Sequence, residues 1–328
     1  MSKQDDIRQI IGSLDNSYIV DQEKVTDLML KSKVKVFLDT CFVSKLKHMG
    51  NKEIIDGLNI YADENSVKKD DIIFVITSMI LYEMKEGEKN HIDPYIDSII
   101  HDVCDNDYKV VILMEEEISK QLRQYVGVSG NSENVEFVSM MRLSSVYLTR
   151  LSIRIKDDKT LTYQGILETG GPVPKDNTFI ENFLLEIKEL KMNKDSLAEE
   201  LIAISILMYA RIWNIQKRGK QIVFCTNDYD AAMRVHACLK AGLSAENISF
   251  KKIYAFTFGQ YLIEKGIITD LQYAKESLIK MVGSQILIFE DEEPPYGSFE
   301  IQVETGDMVE KIFNGDKVAF CAKNLSGR

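Results

Sequence analysis

The sequence predicts an α/β fold: a three-layer α/β/α sandwich around a central parallel five-stranded sheet, with a small β-rich appendage at the carboxyl end. Three observations carry this. Five short apolar runs rich in β-branched residues are bounded by polar residues, longer segments of helical periodicity alternate with them, and the last sixty residues change texture. Strands alternating with helices imply parallel pairing through crossovers.

In chain order, the first thirty residues mix apolar and charged positions and predict one or two helices. The strands are read at Val34–Leu38, Ile72–Ile76, Val110–Leu113, Gln221–Cys225 and Ile253–Phe256. None alternates polar with apolar, so each is expected to be covered on both faces. Helices are expected at Ser44–Ala62, Met79–Glu88, Asp93–Cys104, Glu115–Tyr125, Thr178–Lys191, Ser196–Ile215 and Tyr229–Ala241. Residues 126–177, with the loop-like GVSGNSEN and TGGPVPKDN around a helical stretch near Phe137–Ile153, read as an insertion.

After Ile268 a helix runs through Met281. Gln285–Phe289, Phe299–Val303 and Lys317–Cys321, separated by DEEPPYG and by Asn314–Gly315, then predict hairpins. The organisation is thus a helical segment over 1–30, a main domain over 31–268 and an appendage over 269–328.

Composition narrows the chemistry. The chain of 328 residues is 45% hydrophobic and 28% charged, which places it among folded, soluble proteins. No apolar stretch is long enough to span a bilayer, and MSKQDDIRQI lacks a signal-peptide core, so a cytoplasmic location is expected. Five scattered cysteines without a CxxC pair and four histidines exclude a disulfide framework and a His- or Cys-built zinc centre. Any metal must be held by carboxylates, which points to Mg²⁺ or Mn²⁺. A net charge of −11 argues against a broad nucleic-acid surface but leaves room for a local groove. The short basic clusters at Lys31–Lys35, Lys45–Lys52, Lys217–Lys220 and Lys251–Lys252 read as solvated surface.

In open parallel sheets the site forms outside the carboxyl ends of the strands. Acidic residues gather at those positions. Asp39 follows the first strand in FLDTCFV, and Glu83 follows the second in TSMILYEMKE. Asp195, Glu199 and Glu200 open the apolar helix DSLAEELIAISILMYARIW, while Asp228 and Asp230 follow the fourth strand in IVFCTNDYDAAMRV. Asp195 and Glu199 share a helix face, with Glu200 rotated by about 100°. Thr226 and Asn227 add polar groups able to orient the aspartates. Each acid alone is also explained as a helix cap or a solvated position. Together they crowd negative charge at one sheet edge, which a divalent cation would neutralise.

These segments, in this order, resemble the PIN domain family of metal-dependent nucleases. The matching pieces are Asp39 in FLDT, Glu83 after the second strand, Glu199 in EELIAIS and Asp228 in TND, over roughly Val34 to Lys265. Family members often carry Asp where Glu199 stands, so Asp195 or Glu200 are alternative ligands, and Asp230 resembles an extra acid of some members. The resemblance implies Mg²⁺- or Mn²⁺-dependent hydrolysis of single-stranded or structured RNA. Asp39 and Asp228 would hold the principal metal, Glu83 and Glu199 would complete its shell, and Asp230 would assist a second ion. The amino-terminal helices, the insertion and the appendage are additions to a minimal PIN domain, expected to set substrate choice or homo-oligomeric assembly. The run TGDMVEKIFNGDKVAF is also similar to small β-barrel RNA-binding appendages, or serves as a packing or dimerisation element. The alternatives are a catalytically inactive PIN-like scaffold that binds RNA or protein, and a DNA- or flap-directed nuclease with the same site.

Overall fold

A computed structural model of the chain describes residues 2–14, 18–87, 91–126, 132–144, 173–192, 195–215, 220–242, 248–288, 301–316 and 322–324. Helices α1 (Lys3–Ser13) and α2 (Gln22–Lys31) precede β1 (Val34–Leu38), α3 (Thr40–Leu46) and α4 (Asn51–Glu64). Then come β2 (Ile72–Thr77), α5 (Ser78–Glu83), α6 (Pro94–Asp105), β3 (Lys109–Leu113), α7 (Ile118–Val126) and α8 (Ser132–Ser144). The chain continues through α9 (Phe179–Glu189), α10 (Leu197–Ile215), β4 (Lys220–Cys225), α11 (Tyr229–Gly242), β5 (Ile248–Ile253) and α12 (Ala255–Glu264). It closes with α13 (Leu271–Val282), β6 (Gln285–Ile288), β7 (Ile301–Glu304), α14 (Thr305–Phe313) and β8 (Ala322–Asn324).

Strands β1–β5 form one all-parallel sheet in the order β3-β2-β1-β4-β5, with helices on both faces, as expected for a three-layer sandwich. The runs of β1 to β4 are buried because their neighbours cover both faces, β3 included although it is an edge of the sheet, where Ile19 bridges to Val110. Because β1 pairs with β2 on one side and β4 on the other, the winding direction reverses between β1 and β4. That reversal opens a crevice at the carboxyl ends of these two strands. One continuous apolar core runs from Ile7 in α1 to Ile312 in α14. Trp213 lies fully inside it. Among the described residues, no helix is long and apolar enough to cross a membrane.

The structure corrects several boundaries. The fifth strand is Ile248–Ile253, not Ile253–Phe256; it is a half-exposed edge strand, and Ala255–Phe256 already begin α12. An edge strand pairs on one side only, so it can carry Lys251 and Lys252 and does not show as an apolar run. The helix expected over Ser44–Ala62 is two helices, broken before Gly50, the N-cap of α4. The one expected over Met79–Glu88 stops at Glu83, and beyond it Lys85 bridges to Ile92, with Gly87 at φ +58° in the turn. The helical stretch placed near Phe137–Ile153 begins earlier, at Ser132, and residues 145–172 lie outside the described ones.

The carboxyl-terminal β-rich region is present as a small antiparallel sheet of order β7-β6-β8, but it is not purely hairpins. Thr305–Phe313 form α14, which buries Met308, Val309 and Ile312. Asn314–Gly315 end that helix, with Gly315 at φ +84°, in place of a hairpin turn. The β-barrel likeness of that run therefore fails. The expected strand Lys317–Cys321 lies outside the described residues, and β8 is at Ala322–Asn324.

Two lysines read as surface are buried. Lys35 has no exposure and sits 4.4 Å from the Trp213 ring centroid, donating to Ser32 O, and Lys220 donates to Lys31 O (2.9 Å) and Ser32 O (2.7 Å). Burial, with Lys220 adding like charge, drives the Lys35 amine down to about 5, so it is neutral at pH 7.

Candidate metal centre at the sheet switch point

Asp39 occupies the N-cap position of α3, yet its side chain makes no capping hydrogen bond. It turns into the crevice instead, where it is buried and accepts bonds from Thr226 Oγ1 (2.6 Å) and Cys41 Sγ (2.7 Å). Thr226 is set by the register that aligns Leu38 with Cys225, and its Oγ1 also accepts the Asp228 N–H at 2.9 Å. One hydroxyl thus fixes the ends of β1 and β4 against each other. Asn227 contributes through its backbone, donating to Cys41 Sγ at 3.0 Å. The Asp228 carboxylate does cap, accepting the Ala231 N–H at 3.0 Å in the first turn of α11.

Glu83, the last residue of α5, accepts from Thr40 Oγ1 at 3.1 Å and pairs with Lys191. Lys191 also binds Asp195 at 2.8 Å, and Asp195 further accepts the Leu197 N–H at 3.1 Å. Asp195 is therefore held by a lysine and by the start of α10. Glu200 is turned toward α11, 4.0 Å from Arg234, and accepts from Ser196 Oγ. Asp230 is exposed on α11.

The electrostatics tie four acids together. Burial, with Glu83 and Asp228 adding like charge, pushes the Asp39 carboxyl up to about 6 against the hydrogen bonds from Cys41 and Thr226. Glu199 is pushed up to about 8 by burial and by Asp39 and Glu83, with Lys191 offsetting part of the effect. Asp39 Oδ1 and Glu199 Oε2 are buried oxygens without a hydrogen-bond partner among the described residues. Unsatisfied buried carboxylate oxygens are strongly disfavoured. An oxygen-only set of this kind suits a hard cation such as Mg²⁺ or Mn²⁺. Among the described residues, no three Asp, Glu, His or Cys side chains stand ready to enclose one ion. Lys191 instead bridges Glu83 and Asp195.

No family model matches this chain, and neither the curated proteins nor the solved structures contain a match to it.

Lys191 was not singled out in the sequence. It lies in the α9–α10 connection, and only the fold brings it to Glu83. Glu115 also follows β3 at the same sheet edge. It is satisfied by Ser78 Oγ, the Met79 N–H (3.2 Å) and Lys188 (3.2 Å), and so stands apart from the open cluster. Of the two thiols beside the crevice, Cys225 is buried and Cys41 half-buried.

The raised carboxyls set a pH dependence. The folded chain retains protons on Asp39 and Glu199 that the unfolded chain releases near pH 4, so stability falls as pH rises from about 4 toward about 8. In chelator the wild-type melting temperature should therefore decline over this window relative to Glu199→Gln, and added Mn²⁺ should stabilise most at its alkaline end. Parallel melting curves for the two proteins, with and without Mn²⁺, provide the check.

Proposed function

We propose that this protein is a PIN-like, metal-dependent endoribonuclease whose acids at the β1/β4 switch point hold Mg²⁺ or Mn²⁺. The observation that carries the reading is the pair of buried, unpartnered oxygens, Asp39 Oδ1 and Glu199 Oε2, in electrostatic contact with Glu83. Asp39, Glu199 and Asp228 would hold the cation, and Glu83 would join them on releasing Lys191. Thr226 keeps Asp39 aimed into the crevice, and Thr40 does the same for Glu83. Asp230, exposed in the first turn of α11, would assist a second ion only from the rim. When bound, such an ion supplies a nucleophilic water at neutral pH and offsets negative charge in phosphodiester hydrolysis.

A nucleic-acid substrate is supported by a local basic patch on an otherwise acidic chain. Lys45, Lys47 and Lys280 converge on His48, whose imidazole is lowered by burial and then by these three charges. The patch lies at the far end of α3, roughly 10 Å from Asp39 at about 1.5 Å per helical residue. That spacing suits a strand whose phosphates run from the patch to the acids.

The Lys191–Glu83–Asp195 contact favours a second reading, an inactive scaffold in which the ammonium replaces a metal. Labelled single-stranded RNA, single-stranded DNA and branched DNA incubated with the chain and Mn²⁺ separate the readings. RNA cleavage that stops with chelator and with Asp228→Asn is expected. Cleavage of DNA alone would move the activity to the DNA-directed class, and no cleavage of any substrate would leave the scaffold.

A further inference from the structure

The two faces of the sheet are packed differently. On the face toward α10, Lys35, Phe37, Ile73 and Val75 have no exposure at all. On the opposite face Val36 keeps 7% and Phe74 6%, because they line a cavity of about 480 Å³ between the sheet and α4, α6 and α12. Small-molecule sites span about 300–1,000 Å³ and are mostly apolar with a few polar groups. An apolar void left empty destabilises a fold in proportion to its volume, and water does not fill it.

The polar groups sit at one end. Tyr61, Tyr108 and Tyr261 line the cavity there, with the exposed Glu64, Asn65 and Lys251 at its rim. The buried hydroxyl oxygens of Tyr61 and Tyr261 make no well-formed hydrogen bond with any described residue, although Gln221 bears on the Tyr61 hydroxyl and Glu64 on that of Tyr261. Glu64 is paired with Lys265, and Lys69 lies over the Tyr108 ring at 5.3 Å. Asp63 is the other acid near this rim, acting on Tyr108. Lys251 forms no ion pair among the described residues, so the rim carries three ammonium groups against two carboxylates.

We infer that this cavity binds one molecule of an aliphatic carboxylate of fatty-acid type, its chain against Val36, Phe74 and Ile100 and its head at Tyr61, Tyr261 and Lys251. The tail replaces empty space with apolar contact. The head meets the Lys251 ammonium, and the two hydroxyls donate to it on turning from Gln221 and Glu64. The cavity reaches Leu38 and Cys225, the neighbours of Asp39 and Thr226, but binding there does not depend on any nuclease activity.

Calorimetric titration of the full chain with dodecanoate, dodecanol and dodecylamine, each below its aggregation concentration, tests this. Saturable binding of one dodecanoate per chain is expected. Val103→Phe and Val223→Phe, which fill the cavity from α6 and from β4, should each weaken it at least tenfold and raise the melting temperature. Lys251→Glu should weaken dodecanoate about tenfold, equivalent to about 1.4 kcal/mol, and leave dodecanol unchanged. Circular dichroism establishes which variants fold, and the rim variant decides alone if neither filled variant does. No binding to the wild type, or equal binding by a folded filled variant, would overturn the site. Preference for dodecylamine would overturn the carboxylate.

Discussion

Asp39→Asn should lower Mn²⁺-dependent RNA cleavage by at least about 100-fold, the upper range for losing a group that merely supports a metal ligand. The fold should survive the change. Asp39 is buried, and burial already favours its neutral form, so a neutral isostere removes repulsion with Glu83 and Asp228. The amide still accepts from Thr226 through its carbonyl oxygen. In chelator at pH 8 the variant should therefore be at least as stable as the wild type, while single-turnover cleavage is lost. Joint loss of activity and stability would instead make Asp39 a structural residue. Undiminished cleavage would remove it from the site.

Lys188→Ala should destabilise the fold by about 3–5 kcal/mol, the range for breaking a buried ion pair from one side. Lys188 is 1% exposed and donates to Ser78 Oγ (2.9 Å), to Glu115 (3.2 Å) and to Glu116. Burial alone would push its ammonium down, but Glu115 and Glu116 together hold it above the ordinary lysine value. Glu116 also accepts from Gln4 at 2.7 Å, so the network joins the ends of β2 and β3 to α9 and α1. Removing the lysine strands two carboxylates, one of them wholly buried. Denaturant unfolding measures the loss. Lys188→Met combined with Glu115→Gln and Glu116→Gln should recover most of it, because the stranded charges go with their partner. A small effect in the single variant would show that water reaches Glu115.

Much of this architecture was legible because β1 to β4 are buried on both faces and so read as continuous apolar runs. The edge strand β5 escaped that test because exposure lets it carry Lys251 and Lys252. Asn314–Gly315 signalled a hairpin, yet the spacing of Met308, Val309 and Ile312 is helical, and packing of that face decided the outcome. At the site, Asp39 and Asp228 were readable from their places after strands. Helical phase separated Glu199 from Glu200 by angle, but only the fold shows Glu200 turned to Arg234 and Glu199 electrostatically coupled to Asp39. Lys191 and Lys188 were illegible for a common reason: each meets acids more than seventy residues away in the chain. The reading of Lys35 and Lys220 as surface failed because charge type alone does not report where a strand end is covered.

Titration of Mn²⁺ into the chain, with free ion followed by electron paramagnetic resonance at pH 8, is the most direct probe of the acidic crevice. Saturable binding of one or two ions per chain, weakened at least about tenfold in Glu199→Gln and in Asp39→Asn, is the expected result. No saturable binding, or equal binding by both variants, would contradict a metal centre at the β1/β4 switch point.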